Sequence, residues 1–134
     1  MISAAQMMRL LALARCLDPD LSATAGTLHD IITMETGEHK DHAFRAPPYV
    51  DTLLTEFNAA HPDCMINEQE IALLKEIIPF HSDKTSASDN PYAELLKDAD
   101  AMDRYLHGIE TKPHEVPRLI RVFASLGMDV EFEK

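Results

Sequence analysis

The sequence predicts an all-α protein, a single-domain helical bundle of about six helices, and three observations carry that expectation. The 134 residues are rich in Leu, Ala, Met, Glu and Lys and hold only four glycines and few β-branched clusters, a composition that favours helix over a β-sandwich. Apolar residues recur at gaps of three and four rather than two. Each recurring stretch is bounded by residues that start or stop helices.

Residues 3–17 carry Met7, Leu10, Leu11, Ala14 and Leu17, one apolar helix face. Asp18-Pro19 breaks that pattern, and Pro19 fits the first turn of a second helix reaching residue 34. Its Ala23, Ala25 and Gly26 permit close packing against a neighbour. The polar stretch 35–42 reads as a loop. Pro47-Pro48 suit the first turn of a third helix running to about residue 59. Asn67 followed by Glu70 forms a capping-box pattern that opens a fourth helix through about residue 80. A loop rich in Ser and Asp then leads to Pro91 and a fifth helix closed by Gly108. A last helix, PRLIRVFASLG, is closed by Gly127, and residues 128–134 read as a short strand or a frayed end. The whole chain, 1–134, is read as one domain.

Charge and cysteine usage narrow the function. A net charge of −11 repels phosphate backbones and argues against a nucleic-acid polymer as partner. It leaves small phosphorylated substrates open, because a bound cation reverses the local sign. Cys16 and Cys64 form no CxxC, so a cysteine-based zinc site is excluded, and both are expected as buried, reduced thiols. The apolar N-terminus lacks a basic leader and is interrupted by Arg9 and Arg15, which suits a core helix better than a signal peptide. No run approaches the ~20 apolar residues of a membrane span. A cytoplasmic protein is expected, and the apolar first helix leaves a homodimer open.

The chemistry-bearing residues sit in four places. His29 and Asp30 are adjacent in an apolar run, about 100° apart on a helix, so they can share an ion only from its edge. Both residue types ligate divalent first-row metals. Asp98, Asp100 and Asp103 stand among Leu95, Leu96, Ala99 and Met102. Asp100 falls at the border of the buried face, where a carboxylate is rare unless paired or bound to metal. Either Asp98 or Asp103 suits an exposed acidic stripe. His81 ends the apolar run IALLKEIIPF, and His42 precedes the third helix. His61, His107 and His114 read as surface or capping residues.

Taken in order, LHDI, DHAFRA, IIPFHSDK and LLKDADAMDRYL resemble the HD-domain superfamily of metal-dependent phosphohydrolases, over roughly residues 10–108. The resemblance implies an all-α core in which an early His, a His-Asp doublet and a distant Asp bind a metal, with added histidines where two metals bind. It implies metal ligation by His29, Asp30, His42, His81 and Asp100, with Asp30 bridging two ions. Asp30 or Asp100 would orient the attacking water. Lys84, Arg45 and Arg104 would meet substrate phosphate. The implied cofactor is one or two divalent ions (Mn, Fe, Mg, Co or Zn), and the implied substrate a small phosphoester or nucleotide. Two departures stand out. The family's early His would fall near Ile2 or Ser3, where this chain has none, and Ile31-Ile32 follow the doublet where the family often has Gly-Lys. A longer first helix upstream, or a site with one ligand fewer, would follow. The alternative is a degenerate HD-fold protein that works as a binding or regulatory module.

Overall fold

The computed structural model describes residues 2–30, 45–81 and 88–129, which form six α-helices and three short 3-10 turns. Helix α1 spans Ile2–Ala14, α2 Pro19–Leu28, α3 Ala46–Ala60, α4 Glu68–Ile77, α5 Pro91–Leu106 and α6 Val116–Ser125. No strand occurs among the described residues. None of their helices is long and apolar enough to cross a membrane.

Local chemistry sets most boundaries. Asp18 caps α2 by accepting from the backbone N–H groups of Asp20 and Leu21, with Pro19 in the first turn. Asn67 and Glu70 make both bonds of the capping box that opens α4. Asn90 caps α5 by accepting from the N–H of Tyr92. Three helices end in the same terminator, where one residue turns left-handed and the next N–H reaches back five residues. Gly108 and Gly127 take that position after α5 and α6, with φ of 75° and 76°. The returning bonds are Ile109 N–H to Arg104 O and Met128 N–H to Phe123 O. After α1 the left-handed residue is Cys16, with φ of 57°, and Leu17 N–H returns to Ala12 O.

Helix α5 is the axis of the fold. Ala93, Leu95, Leu96, Lys97, Asp98, Ala99, Ala101 and Met102 are all buried, so it is enclosed on nearly every side. Around it pack α1, α2, α4 and α6, with α3 lying against α4. Met8 and Leu11 of α1, Leu28 of α2, Val50 and Leu54 of α3, Leu74 and Ile77 of α4 and Leu119 and Phe123 of α6 complete one continuous core. Helices α1 and α2 pack closely because Gly26 has no side chain. A Cβ there would come within 2.8 Å of the Ala5 Cα and 2.9 Å of the Ala4 carbonyl oxygen. The loop between α3 and α4 is pinned by Asn58, whose amide accepts from the N–H of Ile66 and donates to its carbonyl, both at 2.8 Å.

Several sequence expectations need correction. Helix α1 stops at Ala14 rather than Leu17, because the Cys16 terminator reverses the chain. Its buried face is Ala4, Met8, Leu11 and Ala12, rotated from the expected stripe, so Leu10 is half exposed and Ala14 faces solvent. Helix α4 gives way to a 3-10 turn at Ile78, since Pro79 cannot supply the next backbone N–H. Cys16 and Cys64 are exposed rather than buried: one lies in the α1 terminator and the other in the 3-10 turn Pro62–Cys64. Helix α2 ends at Leu28, with His29 and Asp30 in the turn that follows, rather than continuing to 34; residues 31–34, the loop at 35–42 and the tail 130–134 lie outside the described residues.

Candidate metal centre

Two histidines are presented by the same local device. His29 follows the last turn of α2 and is 3% exposed; its Nδ1 lies 2.6 Å from the carbonyl oxygen of Gly26. His81 follows the 3-10 turn Ile78–Phe80 and is 1% exposed; its Nδ1 lies 2.8 Å from the carbonyl oxygen of Ile78. A carbonyl only accepts, so each Nδ1 carries its proton and donates. Each ring is thereby held in the tautomer that turns the Nε2 lone pair inward, as outer hydrogen bonds do for metal-ligating histidines. The two rings meet edge to face with centroids 4.9 Å apart.

Both Nε2 atoms face carboxylates. His29 Nε2 is 3.1 Å from Asp30 Oδ2 and 3.5 Å from Asp100 Oδ1. His81 Nε2 is 3.5 Å from Asp30 Oδ1, so Asp30 turns one oxygen toward each ring. Asp100 arrives from the central helix α5, with its side chain 13% exposed. Ligand atoms of His29, Asp30 and His81 all lie within 4.8 Å of one another.

That arrangement has an electrostatic consequence. A neutral imidazole protonated at Nδ1 meets a carboxylate oxygen with lone pair against lone pair, so the contact asks for a cation. A proton is one solution. Burial opposes charge on His29, but the hydrogen bonds its ring donates to Asp100 and Asp30, with their negative charges, outweigh it, pushing its pKa up to about 10. Burial likewise opposes charge on Asp30, yet His29 and His81 hold its carboxyl far below the usual range. For His81, burial comes first, and with the positive charge of His29 it overrides the hydrogen bond to Asp30, so its pKa falls. A divalent ion is the other solution, and the donor set fits one. Ligands about 2.1 Å from an ion sit about 3.0 Å apart at an octahedral edge and about 3.4 Å at a tetrahedral one. The three nitrogen–oxygen separations, 3.1, 3.5 and 3.5 Å, lie close to that span.

Of the residues singled out in the sequence, the structure therefore brings together His29, Asp30, His81 and Asp100. His42 and Lys84 lie outside the described residues. Arg45 occupies the N-cap of α3 without a side-chain cap bond. Arg104 stands four residues beyond Asp100 on α5, half-buried, with its Nε unpaired. His61 and His107 are exposed C-caps of α3 and α5, and His114 is exposed, in line with the surface and capping roles expected.

The sequence reading missed a second polar cluster beside the first. Asp98 is 8% exposed, not part of a solvated stripe, and Asp103 is half-buried. The Asp98 carboxylate accepts from Arg15 at 2.6 Å and from Arg118 at 2.7 Å. Arg118, itself buried, also donates to Glu94 at 2.7 Å. These contacts hold Glu94 below the usual carboxylate range against the opposing effect of burial. A signal was available: Glu94 and Asp98 stand at i and i+4 among apolar residues, and Arg118 lies on the Leu119–Val122 side of an amphipathic helix.

Comparison with known proteins adds one finding. No curated protein and no solved structure matches the chain. The family model of the HD domain matches residues 1–105, from the start of α1 almost to the end of α5. The match covers most of the chain and takes in both the His29-Asp30 doublet and Asp100. The order of site residues along the sequence and their convergence in space agree with it: this protein belongs to the HD-domain family.

Proposed function

We propose that the protein is a metal-dependent phosphohydrolase acting on a small phosphorylated molecule or nucleotide. The observation that carries this reading is the convergence of two inward-facing Nε2 lone pairs on the carboxylates of Asp30 and Asp100. His29, Asp30 and Asp100 would hold a divalent ion, Mn, Fe, Mg, Co or Zn, with His81 and His42 as further ligands toward a second. Such an ion acidifies a water molecule and polarises a phosphoryl oxygen. The protein's own part follows from its geometry. The Gly26 and Ile78 carbonyls fix the rings. Asp30, the most exposed of the four, would orient the attacking water, a role Asp100 could share. Arg104, one turn past Asp100, and Arg45 and Lys84 would receive substrate phosphate.

A second reading rests on one observation. Helix α1, Ile2–Ala14, contains neither histidine nor carboxylate, so the described α1 supplies no counterpart of the family's early His. A protein that keeps the fold and works as a binding or regulatory module would follow if the remaining ligands bind metal too weakly. A phosphatase screen on nucleotides and small phosphoesters, with and without added Mn²⁺, decides between the two. Metal-dependent release of phosphate, abolished in Asp30→Asn, supports the hydrolase; no metal uptake and no turnover at millimolar Mn²⁺ support the module.

A further inference from the structure

We infer that Arg118, on the helix beyond the family match, is a positioning residue for the metal centre, holding the Asp100 helix in register against His29. The inference rests on the metal-binding reading above. Arg118 Nη1 donates to two acids of α5, Glu94 and Asp98, on consecutive turns. Asp98 is two residues from Asp100, about 200° around the helix, so the two carboxylates leave α5 on nearly opposite sides. The Asp98 side is clamped by Arg118 from α6 and by Arg15 from just past the end of α1. The Asp100 side meets His29. A rotation or slide of α5 that loosens one side therefore displaces the other. Glu94 adds a second route. Its other oxygen accepts the backbone N–H of Ser88, the first described residue after the segment that follows His81. Through Glu94, Arg118 thus also reaches the residues that lead into the Asp100 helix. The apolar α5–α6 contact through Leu119, Val122 and Phe123 has no such directional preference. Two cations against two anions cancel in charge, and a buried pair of this kind is weak evidence for added stability.

The test compares Arg118→Met, Arg118→Lys and Glu94→Gln with Leu119→Ala, a buried truncation on the same helix that keeps the charges. Two readouts are taken on folded protein: Mn²⁺ affinity by electron paramagnetic resonance, and the ring ¹⁵N shifts of His29 and His81 in metal-free protein. Arg118→Met is expected to weaken Mn²⁺ binding about threefold to tenfold, below the ~10–100-fold lost with direct partners of metal ligands, and to move the ring shifts. Arg118→Lys should recover part of both, and Leu119→Ala should leave both near wild type. Glu94→Gln keeps the Asp98–Arg118 pair and is expected to fall between, which keeps the test decisive should Arg118→Met not fold. Unchanged affinity and shifts in Arg118→Met and Glu94→Gln, or an equal loss in Leu119→Ala, would overturn the inference. Wild-type protein that takes up no Mn²⁺ would instead defeat the metal reading, and the ring shifts would still show whether Arg118 positions the histidines.

Discussion

Gly26→Ala tests two functions of one residue, and the sign of its effect is the informative part. In an isolated helix the change stabilises by about 1 kcal/mol, because alanine loses less backbone freedom than glycine. Here the added Cβ meets the Ala5 Cα at 2.8 Å, the Ala5 nitrogen at 2.9 Å and the Ala4 carbonyl oxygen at 2.9 Å. All three are backbone atoms, so no rotamer change relieves them, and α1 must move off α2. Overpacking of this kind costs about 1–3 kcal/mol, and rigid backbone neighbours place it at the upper end. The net is a loss of about 2 kcal/mol. At roughly 2.1 cal/mol/K per residue, a 134-residue chain has an unfolding entropy of about 0.28 kcal/mol/K, so Tm should fall by about 7 °C. Circular dichroism at 222 nm through a thermal melt measures it. The Gly26 carbonyl also receives the Nδ1–H of His29, so metal affinity should fall in the same variant. A Tm equal to or above wild type would refute the close packing of α1 on α2, since helix propensity alone predicts a rise.

Three further outcomes follow from the same structure. The pKa of His29 in the metal-free protein, about 10, lies above its unfolded value of about 6.5, so its contribution to stability is complete below pH 6.5 and is lost as pH rises toward 10. His81 is shifted the other way and costs stability below pH 6.5. Metal must displace the His29 proton, so Mn²⁺ affinity should rise up to about tenfold per pH unit between about pH 6.5 and 8.5; calorimetric titration showing a flat profile would contradict that protonation state. Asp98→Ala leaves Arg15 and Arg118 without their shared anion and should cost about 3–5 kcal/mol in urea unfolding, against under about 1 kcal/mol for an exposed pair such as Arg9–Asp20. Cys16→Gly removes a side chain from a left-handed position and should stabilise by about 1 kcal/mol, seen as a Tm about 3–4 °C higher; a lower Tm would mean that the Cys16 side chain contributes packing.

Capping chemistry is local, and so the helix ends that carry it were legible in the sequence, while the ends of α1, α2 and α4 were not. Asn67 with Glu70, Pro91, Gly108 and Gly127 each act within a few residues of themselves, and each stands where its chemistry predicts. His29, Asp30, His81 and Asp100, which converge in space, were singled out through the order of motifs that resembles the HD family. What stayed hidden depends on neighbours distant in sequence. The buried side of α1, with Ala4 and Met8 inward and Leu10 half exposed, goes with the close approach of its backbone to Gly26 on the next helix. Asp98 looks like any surface acid until Arg118, twenty residues on, and Arg15, from the start of the chain, are placed beside it. Cys16 carries no hint of a left-handed backbone, since that conformation serves the terminator of α1 and not the residue itself.

The measurement that bears most directly on the central claim is metal content per chain by plasma mass spectrometry, on protein purified without added metal, beside His29→Ala and Asp100→Ala. Transition metal near one equivalent or more is expected in the wild type, and its loss in both variants. Wild-type protein that is metal-free as purified, and that takes up no Mn, Fe or Zn when these are supplied, would contradict the claim.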